Sequence, residues 1–302
     1  MTHPSPRHAA APLLGLLAAA LLQAGCADTF TPASVVEDLR VLALVASPPE
    51  VGAGETLTLR PVTAEPIPAG AAPTLAETWS FCPFSLGASS GYACAVPLCE
   101  VPLTPVAGAV TVDPAALAQD CLALLGGSLP GDPGASGLPA QVEVLVRYRV
   151  TDGATSREAV QRIPVTTAGP PPARNRAPVI TGVTVGGGAA TDCGAAGAPS
   201  PCPASGTLTR AARLPVTVTI DPASVDTFVD GTGRSVVETV VVSFFTTAGR
   251  FTEERGQAPL ATTELKHESV PAGATAARLW VVARDLRGGE ATFGPIALDV
   301  AP

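Results

Sequence analysis

The sequence predicts an all-β protein of two sandwiches in tandem, with one short helix in the first, and three observations lead there. Short apolar segments alternate with polar residues at a period of two, the repeat of a half-buried strand. The 32 prolines and 30 glycines fall between these segments and form no tracts, so they punctuate strands and do not signal disorder. Residues 167–178, with prolines at 170 to 172, interrupt the chain near its middle, and the halves on either side follow one plan.

The first half opens on an apolar, β-branched segment, 38–46, stopped by Pro48 and Pro49. A turn at Gly52 and Gly54 leads into 56–62, where Leu57 and Leu59 alternate with Thr56, Thr58 and Arg60. Trp79 and Phe81 mark the next strand, and a cysteine-rich loop, 82–99, follows it. Asp113 is a helix cap, Pro114 suits a first turn, residues 115–125 carry the helix, and Gly126 closes it, placing Cys121 near the end. Past a loop of Gly, Pro and Ser at 126–139 comes the clearest strand, 141–151. Val142, Val144, Val146, Tyr148 and Val150 share one face, with Glu143, Arg147, Arg149 and Thr151 on the other. Asp152 and Gly153 then turn the chain into 159–165.

The second half opens at 179–185, passes through a glycine-rich loop holding Cys193 and Cys202, and continues with Leu214, Val216, Val218 and Ile220 in alternation with polar residues. Segment 236–246 is apolar on both faces, which predicts a central strand with Phe244 and Phe245 on opposite sides. Residues 279–284, a turn at 285–289, and a last strand with Ile296, Leu298 and Val300 on one face repeat the closing hairpin of the first half. About seven short strands per half make a sandwich.

Three stretches carry family resemblances. The run 175–180 (Asn175, Arg176, Ala177, Pro178, Val179, Ile180) resembles the opening strand of bacterial immunoglobulin-like and fibronectin-type-III-like modules, and residues 279–289 resemble their last hairpin. This resemblance implies Ig-like β-sandwiches and implies no activity. At the start of the chain, Arg7 precedes an apolar run, 13–22, and then Gln23, Ala24, Gly25 and Cys26. The run is shorter than a membrane span. The junction resembles the lipobox of bacterial lipoproteins, with Gln23 where leucine is usual, and implies lipidation and cleavage at Cys26. Of seven cysteines, removing Cys26 leaves six that can pair fully. The expected organisation is a signal peptide at 1–25, a lipidated tether at 26–37, a first sandwich at 38–168, a proline-rich linker at 169–178 and a second sandwich at 179–302.

An exported chain favours disulfides over zinc. Cys82, Cys94, Cys99 and Cys121 lack two close Cys-x-x-Cys pairs, and their disulfide pairing is open among three possibilities. Cys193 and Cys202 stand alone in the second half and are expected to pair. Residues 87–91 match the Gly-x-Ser-x-Gly pattern around Ser89, but no strand, helix or histidine base accompanies them, and the lone downstream histidine is His267. Asp221, Asp226 and Asp230 match no calcium-loop spacing. Trp79 and Trp280 could stack on sugars if exposed, yet with 4% aromatic residues the cores need them.

The net charge of −8, with no basic run, argues against nucleic acid as a partner. The expectation is therefore a non-catalytic lipoprotein of the outer membrane, periplasmic or surface-exposed, using no cofactor or metal. Its partners would be the membrane, through the lipid on Cys26, and a protein or glycan. The alternatives are a periplasmic hydrolase with dispersed carboxylates, or a passive spacer.

Overall fold

Strands that bury one face must find a second sheet to cover it, and in this chain they do so twice. A computed structural model of the chain describes residues 32–67, 74–129, 132–167, 169, 174–195, 199–229 and 232–301. The expected signal peptide, Cys26, the three consecutive prolines and Asp230 lie outside them.

The first half runs β1 (Arg40–Ser47), β2 (Val51–Gly52), β3 (Leu57–Ala64), β4 (Ala76–Cys82), β5 (Val101–Leu103) and β6 (Val110–Val112). Helix α1 (Pro114–Leu124) follows, then a small hairpin of β7 (Ser128–Leu129) and β8 (Asp132–Ser136), and last β9 (Gln141–Thr151) and β10 (Ser156–Thr166). One sheet has the order β1-β3-β6 and the other β2-β10-β9-β4-β5. The alternation of β9 sends Val144, Val146, Tyr148 and Val150 inward, where they meet Leu44, Ala46, Leu57, Leu59, Phe81 and Ile163. Trp79 and Tyr148, opposite each other in register, pack ring against ring, tilted by 50° with centroids 4.5 Å apart. Each large aliphatic side chain buried this way contributes about 1.5–3 kcal/mol.

Helix α1 starts where Asp113 accepts a hydrogen bond from the Ala116 N–H at 3.0 Å, and Pro114 takes the position that needs no donor. It ends before Gly126, whose φ of +68° only glycine adopts freely. At the closing hairpin, Asp152 Oδ1 accepts from the N–H groups of Ala154 and Thr155 at 2.9 and 2.6 Å, so the turn is held by its own side chain. These N–H donors hold the Asp152 carboxyl below the usual carboxylate range.

The second half contains β11 (Ile180–Val185), β12 (Gly188–Ala189), β13 (Thr207–Leu208), β14 (Leu214–Ile220), a hairpin of β15 (Thr227–Val229) and β16 (Ser235–Val237), and β17 (Val241–Thr246). It continues with β18 (Arg250–Phe251), β19 (Arg255–Gln257), β20 (Leu260–Lys266), β21 (Ala276–Arg284) and β22 (Glu290–Val300). Its sheets are β12-β11-β14-β20-β18 and β13-β22-β21-β17-β19. The segment expected as one strand over 236–246 is divided. Ser235–Val237 joins the overhanging hairpin with β15, and only Val241–Thr246 enters the main sheet.

The two sandwiches close alike. In each, a two-residue strand, β2 or β13, runs parallel to the last strand, β10 or β22, in a sheet otherwise antiparallel. The fold is all-β, two Ig-like sandwiches in tandem with one α-helix among the described residues.

Candidate functional site

The outward face of β17 and β21 also carries large apolar side chains at its centre. Phe244, Leu279, Val281 and Ala283 lie in the core of the second sandwich. Trp280 and Val282 point the other way and are equally buried, at 3% and 0% exposure. They pack, with Phe245, against Val36, Leu42, Ala43, Val45, Val62 and Ala64 from the first sandwich. The sandwiches therefore meet along their faces, and Ala33–Pro302 is one compact unit. Segment 34–36 threads this seam. Val36 N–H donates to the Thr246 carbonyl at 2.8 Å, Thr246 N–H donates to the Ser34 carbonyl at 2.9 Å, and Ser34, Val35 and Val36 are all buried.

Polar groups finish the seam where apolar ones stop. Asn175, 3% exposed, bridges the halves: its backbone N–H donates to Glu50 Oε2 at 2.9 Å and its Nδ2 to Asp285 Oδ2 at 2.8 Å. The other Asp285 oxygen accepts from the N–H groups of Arg287 and Gly289 at 2.7 and 2.9 Å, holding the β21–β22 turn. On either side of Asn175, Arg174 pairs with Glu55 of the first sandwich and Arg176 with Asp226 of the second. Arg174 and the Gly52 N–H hold the Glu55 carboxyl below its usual range. At the bulge in β1, Glu290 Oε2 accepts the Leu44 N–H at 3.0 Å while its Oε1 accepts from Arg284 Nε at 2.6 Å. Arg284 also donates to the Leu42 carbonyl, and Gln161 Nε2 to the Gly288 carbonyl at 3.0 Å. Burial pushes the Glu290 carboxyl up, against the pull of Arg284. It also pushes up Glu238, which faces Arg287 at 3.3 Å. Arg287 in turn lies 4.3 Å over the Phe228 ring, tying the β15–β16 hairpin to this turn.

Above these contacts a groove of about 300 Å³ opens between β9–β10 and the β21–β22 turn, with Tyr92, Glu143, Arg162, Leu286, Arg287 and Glu290 on its walls. Its charges are already matched, Arg162 with Glu143, Arg284 with Glu290 and Arg287 with Glu238. Both Glu290 oxygens are committed to donors, the Leu44 N–H and Arg284. Leu286 at its lip is 68% exposed and has φ +66°, a left-handed conformation rarely occupied by a bulky residue.

The structure joins Cys82 to Cys94, Cys99 to Cys121 and Cys193 to Cys202, with Cα–Cα distances of 5.7, 5.3 and 5.8 Å. The first two fold the cysteine-rich loop onto β4 and β9 and tie it to α1. Arg147 reinforces it by donating to the Tyr92 carbonyl and to Glu100 at 2.9 and 3.0 Å. The third closes a loop lying on β22, where Cys193 N–H donates to the Pro295 carbonyl at 2.9 Å. A Cβ on Gly194 would stand 2.5 Å from the Gly294 carbonyl, so this approach needs glycine.

Ser89 is exposed in a single helical turn, Ala88–Ser90, while His267 follows β20 in the other sandwich, so the structure does not bring them together. Asp221 caps the turn Pro222–Ser224, and Asp226 is taken by Arg176. Among the described residues no group of three or more His, Cys, Asp or Glu is placed to hold a metal. Both tryptophans are 3% exposed and cannot stack on a sugar, Trp79 lying in the first core and Trp280 in the seam. Sequence reasoning missed the groove and the seam. The signal that could have found the seam was the two-faced apolar pattern of 241–246 and 279–283.

No protein-family model matches the chain, and no curated protein matches it. Solved structures similar to it include a chimeric titin Z1Z2 carrying a peptide from decorin, at 12% identity and TM-score 0.22, covering 88% of this chain and 97% of that one. The fibronectin(III)-like modules of Clostridium thermocellum CbhA give 13% identity and TM-score 0.21 over 87% and 92%. The D00-D0 domain of Intimin gives 11% and 0.21 over 87% and 96%. At these scores the likenesses carry no weight, and the fold rests on the sheets themselves.

Proposed function

We propose that the protein is a lipoprotein held to a membrane through Cys26, and that it presents a rigid pair of sandwiches to a protein partner without catalysing a reaction. The observation that carries the binding role is Leu286, an exposed apolar side chain at the lip of a charge-matched groove, held in a costly backbone conformation by the Asp285 turn. Strain kept at an exposed apolar side chain supports a contact role for it. The matched ion pairs beside it suit recognition of a protein surface with charges of both signs.

The anchor reading rests on the lipobox-like residues 23–26. Eight peptide steps separate Cys26 from Ser34, a reach of at most about 30 Å of chain. Intact-mass analysis of the mature amino terminus, beside a Cys26→Ser variant, tests the anchor. A diacyl- or triacyl-cysteine in the parent, and release of the variant from membranes, are expected; an unmodified terminus overturns this reading. For the binding role, a photo-crosslinker at position 286 should trap a protein that one at Arg60, exposed on the first sandwich, does not. Equal or absent trapping at both positions counts against the groove.

A further inference from the structure

At the end of the second sandwich away from the β21–β22 turn, the loop before β14, the end of β20 and the loop before β21 enclose two adjoining cavities. The first, about 320 Å³, is lined by Arg210, Arg213, Lys266, His267 and Glu268. The second, about 300 Å³, is walled mainly by Val270, Pro271, Ala272, Ala274 and Val300, and shares Arg210 and His267 with the first. Their walls are pinned by backbone bonds, Ala301 N–H to the Leu208 carbonyl at 3.0 Å and Val300 N–H to the Thr275 carbonyl at 2.9 Å.

In a chain of net charge −8, this place gathers its only lysine and the one histidine beyond the first eight residues beside two arginines. Arg213 is committed to Glu264 at 2.8 Å, and Lys266 lies 3.9 Å from Glu268. Arg210 and His267 make no hydrogen bond or ion pair with any described residue, so the guanidinium of Arg210 keeps its planar fork of donors free. That fork matches the two oxygens of a carboxylate or phosphate. An inorganic ion would use only the first cavity. An apolar cavity meeting it at the same two side chains calls for an apolar body behind the charged head.

We propose that this end of the second sandwich binds a small amphiphilic anion, its carboxylate or phosphate head between Arg210, Lys266 and His267 and its apolar body over Val270, Pro271 and Ala274. The site is separate from the groove at Leu286, and its test is independent of the partner-binding reading.

The full chain carrying Cys26→Ser, so that no lipid of its own competes, is titrated with octanoate by calorimetry. Octanoate should bind saturably and more tightly than acetate or octanol, which each carry half of the recognised chemistry. Arg210→Ala should weaken it by about tenfold, the loss of a charge-assisted hydrogen bond, while Arg60→Ala, an equal change of charge on the first sandwich, leaves it unaltered. Both arginines are exposed, and circular dichroism checks that the fold is kept. Octanol binding as well as octanoate, an unaffected Arg210→Ala variant, or no saturation each overturns the proposal. Sedimentation with phosphatidylglycerol vesicles then separates two sources of the head. Retention that octanoate competes away and Arg210→Ala abolishes assigns it to a lipid, whereas octanoate binding without retention assigns it to a free amphiphile.

Discussion

Replacing Trp280 with alanine is expected to uncouple the two sandwiches without dismantling either. Trp280 is 3% exposed, yet it belongs to the seam cluster and to neither sandwich core. Truncating a buried tryptophan costs about 3–5 kcal/mol, and here the loss falls on the docking of Leu42, Ala43, Val62 and Ala64 against Val282 and Phe245. The chain has two tryptophans, so in this variant fluorescence reports Trp79 alone, which sits inside the first sandwich. Urea unfolding followed by tryptophan fluorescence and by far-ultraviolet circular dichroism should coincide in the parent and separate in Trp280→Ala. Amide exchange should also quicken at Val36 and Thr246, whose bonds cross the seam. Coincident transitions in the variant, displaced by less than about 1 kcal/mol, would refute the assignment of Trp280 to an energetically important interface.

Leu286→Gly should reduce crosslinked partner capture at the groove while leaving stability within about 1 kcal/mol of the parent, because relief of the left-handed backbone offsets the entropy of glycine; a large destabilisation would show that the side chain supports the fold. Serine at both Cys193 and Cys202 should cost about 2–3 kcal/mol in urea unfolding, with faster amide exchange at Cys193 and Ser205, whose N–H groups rest on β22; unchanged exchange would show that the loop docks without its bridge. Glu290→Gln should flatten the dependence of stability on pH. The raised carboxyl means the native state binds more protons than the unfolded one above the ordinary glutamate range of about pH 4.3, so this group's contribution falls as pH rises through the raised value. Identical slopes in parent and variant from about pH 4 to pH 7 would contradict it.

Much of the fold is legible in the sequence because local signals and tertiary demands agree. The alternation of Val144, Val146, Tyr148 and Val150, the Asp113 cap with Gly126, and the Asp152 turn each act within a few residues, and each appears where the pattern placed it. The seam was hidden for a physical reason. Hydrophobic periodicity tells how many faces of a strand are covered, not what covers them, so Phe245, Trp280 and Val282 read equally well as a central strand of one sandwich. The seam's polar closure was less visible still. Asn175 looks like an ordinary linker residue until Glu50 and Asp285, 125 and 110 positions away, are brought to it. The cysteine pairing of the first half likewise depends on where β4 and α1 come to rest, which spacing alone cannot choose.

The face-to-face seam has a consequence for how the chain is made. Synthesis delivers β1 first and the strands that cover its outer face last: the Leu44 N–H must wait 246 positions for the Glu290 side chain. During that interval the first sandwich can close around its own core, but Leu42, Ala43 and Val62 stay bare, an apolar strip on a half-finished protein. Contacts this distant in sequence form slowly. A nascent chain arrested before β21 would therefore be sticky although its first domain is complete, and its release in usable form depends on β21 and β22.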